Sequence, residues 1–381
     1  MNRIQTQPRQ NWQQKLEAIG FTFHTLNGPY WDESAYYSFT PKEVDTLETA
    51  TAQLWEMCLE AVQHVIDKKR YPQFHIPPKF TQYIEQGWDN DAPSIYGRFD
   101  FSFDPKIGVP KLLEFNADTP TALFEASVVQ WHWLQDFDKS KDQFNSIHEK
   151  LIASWAELKP NLQKGPTHFS CVSENIEEFT TVEYLRDCAI QAGLTTQFVP
   201  LEEIGWDNQN QIFLDQQDQP ITNCFKLYPW EWLVNETFAP GILADRNQTH
   251  WIEPSWKMIL SNKAILPILY ELFPNSPYIL PAYFDNTNLK NYVKKPFLSR
   301  EGANITLVKN NHYITHTEGE YGEEGFIYQQ LAELPNFNNN FPVIGSWIIG
   351  QEPAGIGVRE SNTSITDNLS RFVPHYMSSN P

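Results

Sequence analysis

Between Thr167 and Pro200 the chain reads THFSCVS, then NIEEFTTVEYLRDCAIQAG, then TTQFVP. The outer stretches have the character of short strands. The middle one reads as a helix closed by Gly193, since glycine suits the residue after a helix end. Strand, helix and strand within about 35 residues make a βαβ unit. Parallel strands need such a crossover, so a parallel sheet and an α/β architecture follow. At 381 residues the chain can hold two or three packed subdomains.

The rest of the chain adds antiparallel pieces. Apolar positions Leu47, Leu54, Met57, Cys58, Ala61 and Val65 recur at helical spacing, which predicts a helix over 43–68. SIYGRFDFSF alternates like a strand, DPKIG turns, and VPKLLEFNA returns, giving a hairpin. Helical patterns cover 120–135 and 141–158. WDNQNQIFLDQQDQP predicts a second hairpin, and CFKLYPWEW a strand. The stretch 254–274 reads as mostly helical. NYVKKPFL is a strand, SREGANI a glycine-containing turn, TLVKNNHYITHT a hairpin, and the stretch 342–361 a strand, a glycine-rich loop and a strand.

A hydrophobic content of 41% with 14% aromatic residues excludes a disordered chain. A formal net charge of −19 argues against nucleic acid or anionic membrane as partner and is compatible with a cationic substrate. No apolar run reaches the roughly 18 residues of a spanning helix, and the N-terminus has no apolar core of a secretory signal. Cys58, Cys171, Cys188 and Cys224 form no zinc pattern. A cytoplasmic location is the expectation.

The stretch LLEFNADTPTALFEA carries the first chemistry. Residues i and i+2 of a strand share a face, so Glu114 and Asn116 aim two oxygen ligands at one point. Asp100, across the hairpin turn, completes an acid–acid–amide trio, with Arg98 on the same side. Magnesium favours such oxygen ligands; a solvated hairpin with surface charges is the other reading. Strand alternation lets only one of Lys294 and Lys295 face a site. Lys263 and Lys295 could clamp nucleotide phosphates as point charges, with main-chain N–H groups near Gly302 covering them. An ordinary β-turn is the alternative there. Together with Arg98, Arg300 and Arg359, this is equipment for metal-assisted phosphoryl transfer.

In order along the chain, YGRFDF, LLEFNADTPTALFEA, LYPWEW, SNKAILPIL, KKPFLSREGANI and GVRES resemble the synthetase part of glutathionylspermidine synthetase and, more closely, its stand-alone homologues, the acid–amine ligases. The likeness runs from about Trp12 to Tyr376. It implies an α/β (α+β), circularly permuted ATP-grasp fold with a pre-ATP-grasp, Rossmann-like subdomain. Residues 1–160 would supply the metal-ligand strands, 161–250 the α/β subdomain, and 251–381 the lid and C-terminal catalytic part.

The resemblance also implies a reaction: joining a carboxylate to an amine through an acyl phosphate, with ATP and two magnesium ions. Asp100 and Glu114 would hold one ion, and Glu114 and Asn116 the other. Arg98 would sit beside the acyl phosphate, Lys263 and Lys295 on the nucleotide, Arg300 on the lid, and Arg359 near the transferred phosphate. FIYQQL matches a hinge whose backbone bonds adenine, making Tyr328 and Gln330 candidates. Thr119 and Thr121 match positions that hold a peptide-like carboxylate substrate. Glu177 and Glu178 lie near the acidic subsite for the amine, for which the resemblance implies a polyamine as one candidate, or are exposed carboxylates of a first helical turn. The chain begins at the synthetase, so no amidase domain is expected. The lid reads Ser299-Arg300-Glu301-Gly302, as in the stand-alone branch, and leaves the identity of acid and amine open. A non-catalytic homologue, or a carboxylate kinase passing its acyl phosphate elsewhere, are the alternatives.

Overall fold

The computed structural model describes residues 1–25, 28–246, 248–300, 302–365 and 370–378. Its centre is an antiparallel sheet of five strands in the order Arg371–Val373, Glu352–Ser361, Phe341–Ile349, Tyr96–Ser102 and Lys111–Asn116. Residues from early and late in the chain thus share one sheet. Helix Pro41–Asp67 packs across it. That helix starts at a capping box in which Thr40 and Glu43 satisfy each other's backbone N–H, followed by Pro41 at its first position.

Alternation along these strands divides the sheet into two faces. Phe99, Phe101, Phe115, Ile344, Ile348, Ile356 and Val358 join the core with Leu47, Leu54 and Cys58 of the helix. Burying a side chain such as Leu54 contributes about 1.5–3 kcal/mol. The intervening residues Arg98, Asp100, Glu114, Asn116, Gly345, Trp347, Gly357 and Arg359 point to the other face, where a cavity lies.

A second antiparallel sheet forms the opposite wall, in the order Ala282–Tyr283, Phe326–Gln330, Tyr292–Pro296, Thr306–Lys309 and His312–His316. A four-stranded parallel sheet, His250–Ile252, Asn223–Lys226, Thr167–Ser170 and Thr196–Phe198, closes a third side. Helix Ile176–Gln191 makes its crossover, as the βαβ reading requires. The chain ends meet in a small sheet of Asn2–Gln5, Ala35–Phe39 and His375–Met377. There the buried Glu360 carboxylate accepts from Arg3, Tyr37 and Arg371, anchoring the strand whose next-door Arg359 faces the cavity.

Some expectations are corrected. CFKLYPWEW is a strand only to Lys226; after Pro229, Trp230–Leu233 is a helical turn. The helix expected over 141–158 begins at Ile147, because 142 and 145 bridge to other strands. The stretch 254–274 is two helices, Lys257–Leu260 and Ile265–Leu272, separated at Ser261–Ala264, which puts Lys263 in the break. The glycine-rich loop is a strand: Gly355 and Gly357 lie inside Glu352–Ser361. Among the described residues, no helix is long and apolar enough to cross a membrane.

Candidate active site

The cavity between the three sheets has a volume of about 370 Å³. Its floor is the hairpin. Asp100 lies opposite Glu114 and Arg98 opposite Asn116 in the strand register, so four polar side chains form two adjacent cross-strand pairs. Arg98 forks onto Asp100 at 2.7 and 3.0 Å and donates to the Thr121 carbonyl at 2.8 Å. The Asn116 amide donates to Asp100 at 3.0 Å and to Glu114 at 3.4 Å. A Cβ at Gly345 would stand 2.8 Å from Arg98 Cδ, so glycine there makes room for the arginine.

Lys295 meets this floor from the opposite wall and Lys263 from the break between the two helices. Lys263 Nζ lies 3.2 Å from Glu114 Oε2 and donates to the Ser299 carbonyl at 2.6 Å. Lys295 donates to the Leu113 carbonyl and to Gln329 Oε1, each at 2.8 Å. Lys294 turns to the other face, its ammonium 3.7 Å from the centre of the Phe326 ring. Burial disfavours ionised Glu114, but Lys263 and Lys295 outweigh it and hold its carboxyl down at about 2. Burial likewise pushes Lys295 down to about 8 against the pull of Glu114. Asp100 moves the other way: burial raises its proton affinity and Arg98 offsets this only in part.

The parallel sheet supplies the third wall from the carboxyl ends of its strands, where open α/β sheets present their ligand sites. The segment after Thr167–Ser170 leads to Asn175, whose side chain caps Glu177 and Glu178 at 3.2 Å each. Both glutamates are half-buried and line the cavity. The segment after Asn223–Lys226 leads to Glu231 and Trp232. Arg300 crosses to this wall: it donates to Thr119 Oγ1 at 2.7 Å, lies 3.5 Å from Glu231 Oε1, and sits 5.5 Å from the Trp232 ring centre. Arg359 lies in the same cavity, its guanidinium 5.3 Å from the Phe372 ring centre. Gly302 has φ +70°, a left-handed conformation that favours glycine. Glu301 lies outside the described residues.

Of the candidates named from sequence, Arg98, Asp100, Glu114, Asn116, Thr119, Thr121, Glu177, Glu178, Lys263, Lys295, Arg300, Gly302, Gln330 and Arg359 all line this one cavity. Tyr328 does not: its ring packs on Tyr292, 5.5 Å between centres, while its neighbour Gln329 faces in. Sequence reasoning missed Gln329, Glu231, Trp232 and the buried Asp118. The last joins Lys226 at 2.9 Å and the Trp230 backbone N–H at 2.8 Å, fixing the third wall to the ADTPT segment. The signal for Glu231 was Pro229, which cannot continue a paired strand and stands immediately before the helical turn. Glu125 was also missed. It opens a π-turn, Glu125–Val129, and accepts from Tyr30 at 2.6 Å; burial and then Glu177 push its carboxyl up to about 7.

Among the described residues no group of three or more His, Cys, Asp or Glu side chains is set to hold a metal. Two carboxylates and an amide nevertheless suit magnesium, which takes one or two carboxylates and fills its shell with waters and phosphate oxygens. The hydrogen bonds that gather Asp100, Glu114 and Asn116 at one place support that fit.

A family model described as glutathionylspermidine synthase preATP-grasp matches residues 3–378. A Haemophilus influenzae protein named as an acid–amine ligase is 42% identical over 99% of both chains. Trypanothione synthetase of Crithidia fasciculata is 29% identical, the match covering 84% of this chain and 53% of that one. The bifunctional glutathionylspermidine synthetase/amidase of Escherichia coli is 28% identical over 95% of this chain and 63% of its own. The chain therefore spans between half and two thirds of these two longer relatives. Among solved structures, a glutathione synthetase-like effector from Globodera pallida, in its apo form, shares the fold with a TM-score of 0.57, covering 90% of this chain and 89% of the other at 11% identity. Its mixed α/β fold is thus of the glutathione synthetase-like kind, its relatives carry the names of ligases, and the chain belongs to the glutathionylspermidine synthase preATP-grasp family.

Proposed function

We propose that this protein is an ATP-dependent ligase that joins a small, peptide-like carboxylate to a cationic amine through an acyl phosphate. One observation carries the reading: the oxygen-ligand trio and the two lysines converge, with Glu114 and Lys263 3.2 Å apart. A triphosphate with its magnesium ions needs that pairing, carboxylates for the metal and ammonium groups for the phosphate oxygens. In finer terms, metal-ligand strands first and nucleotide lysines last fit a circularly permuted ATP-grasp order, with the parallel-sheet segment as its Rossmann-like subdomain.

Asp100, Glu114 and Asn116 would hold two magnesium ions, with Glu114 shared. Magnesium, when bound, neutralises charge on the phosphoryl oxygens. Lys263 and Lys295 fix the nucleotide phosphates, and Gln330, the hinge candidate that lines the cavity, stands at the place for adenine. Thr119 and Thr121 orient the acid. Its carboxylate attacks the γ-phosphorus, forming an acyl phosphate and releasing ADP. Arg98, Arg300 and Arg359 stabilise the charge that spreads over the transferred group. The amine, drawn as an ammonium by Glu177 and Glu178, loses a proton to solvent and attacks the acyl carbon as the free base; the nitrogen gives up a second proton to solvent and phosphate leaves as the amide forms. The relatives' names, with glutathione joined to spermidine, support this choice of acid and amine class.

Purified protein with ATP and magnesium should release phosphate only when a matching acid and amine are both present, with mass spectrometry showing the amide. Acid-dependent turnover without amide would favour a carboxylate kinase, and no turnover across a broad panel a non-catalytic homologue. Gly345→Ala provides a sharper check. Its methyl would push on Arg98, and a misplacement of about 1 Å can cost up to about a hundredfold in rate. We expect turnover to fall by about ten- to a hundredfold with the thermal melt little changed; full activity would remove Arg98 from the reaction.

A further inference from the structure

Arg300, in the segment that follows the strand Tyr292–Pro296, is held by the wall across from that strand. Its partners, Thr119 on the ADTPT segment and Glu231 and Trp232 on the helical turn after Pro229, come from two other parts of the chain. That wall is tied together: buried Asp118 joins Lys226 and the Trp230 N–H, and the Lys226 ammonium lies 4.5 Å from the Trp230 ring centre. A carboxylate beside an aromatic face is a good seat for a guanidinium. The Glu231 side chain is 13% exposed and that of Arg300 31%, so the contact is partly withdrawn from solvent. A guanidinium turned onto Thr119 and Glu231 does not have those same N–H groups free for a phosphoryl group.

We propose that Glu231, with Trp232, forms the resting seat of Arg300, and that Glu231 is a positioning residue governing how readily this arginine transfers to the phosphoryl group. The inference rests on the ligase reading above and adds a residue to it. In the resting enzyme Glu231 competes with the nucleotide phosphates for one guanidinium. Thr119 is shared between that guanidinium and the acid substrate, so acid arriving at Thr119 loosens the seat from its other side. Glu231 thereby holds the segment after Pro296 in place before substrates bind, at a cost in nucleotide affinity.

The test is a cycle of Glu231→Gln and Arg300→Ala, singly and together, titrated calorimetrically with a non-hydrolysable ATP analogue and magnesium. Glutamine keeps the shape and removes the charge. We expect Glu231→Gln to tighten analogue binding about fivefold, the scale of a partly exposed ion pair, and to change it less than about twofold when Arg300 is already alanine. In the ligand-free protein, backbone hydrogen exchange over 298–300 and 302–305 should quicken several-fold in Glu231→Gln. Weaker or unchanged binding, an equal shift in both backgrounds, or unaltered exchange would each overturn the seat. Absence of analogue binding to the unmodified protein would instead refute the ligase reading, and the ligand-free exchange would still decide the seat.

Discussion

Glu114→Gln should lower magnesium-dependent turnover by about three orders of magnitude while leaving the fold and the affinity for nucleotide nearly intact. Glu114 is the member of the trio that touches both sides of the site, across from Asp100 in the hairpin and 3.2 Å from Lys263. Its carboxyl, held down at about 2, is ionised throughout the working range, so the substitution removes a full charge. What is lost is the charge that holds metal against the transferring phosphoryl group. The two lysines lose a competing anion, while Lys295 also loses the pull of Glu114 that favours its ammonium, and these opposed effects leave nucleotide affinity close to its starting value. The loss therefore belongs in kcat. Steady-state kinetics over a magnesium titration, with calorimetry of nucleotide binding, separates the terms. Near-normal turnover at saturating magnesium would end the assignment of Glu114 as a shared ligand.

The floor of the site was legible in the sequence because it is local. Arg98 with Asp100 and Glu114 with Asn116 are each spaced by two along neighbouring strands of a hairpin, so alternation puts each pair on one face and the hairpin register brings the two pairs together. The same rule separates Lys295 from Lys294. The third wall was harder to read. Glu231 and Trp232 acquire their place only when Asp118, over a hundred residues earlier, meets Lys226 and the Trp230 N–H. No periodicity encodes such a contact. The strand Ala35–Phe39 escaped for a related reason: its partners, Asn2–Gln5 and His375–Met377, come from the two ends of the chain. The glycines of GQEPAGIG misled because close approach and a loop share one composition; here Gly355 sits against the Phe144 carbonyl and Gly357 against Ala126 within a strand.

Lys295→Ala should weaken nucleotide binding by about ten- to a hundredfold, the equivalent of about 1.5–3 kcal/mol for hydrogen bonds to a charged group, while Lys294→Ala should change it less than about twofold. The two lysines are sequence neighbours with the same charge, so net electrostatics cannot separate them; only the direction of the side chain can. Lys295 points at the floor, bonded to the Leu113 carbonyl and Gln329, whereas Lys294 lies over Phe326 on the other face. A pH series adds a second signature. Burial lowers Lys295 to about 8, so above that pH the free protein carries it neutral. Bound phosphates favour the ammonium, and binding must then draw a proton from solution. Affinity should accordingly fall as pH rises past about 8 in the unmodified protein and in Lys294→Ala, and the fall should flatten in Lys295→Ala. Calorimetric titrations of an ATP analogue into all three proteins decide the matter. Equal losses in the two variants would make the lysines a diffuse charge, and a reversed pattern would shift the strand register by one residue and take Gln329 out of the site with it.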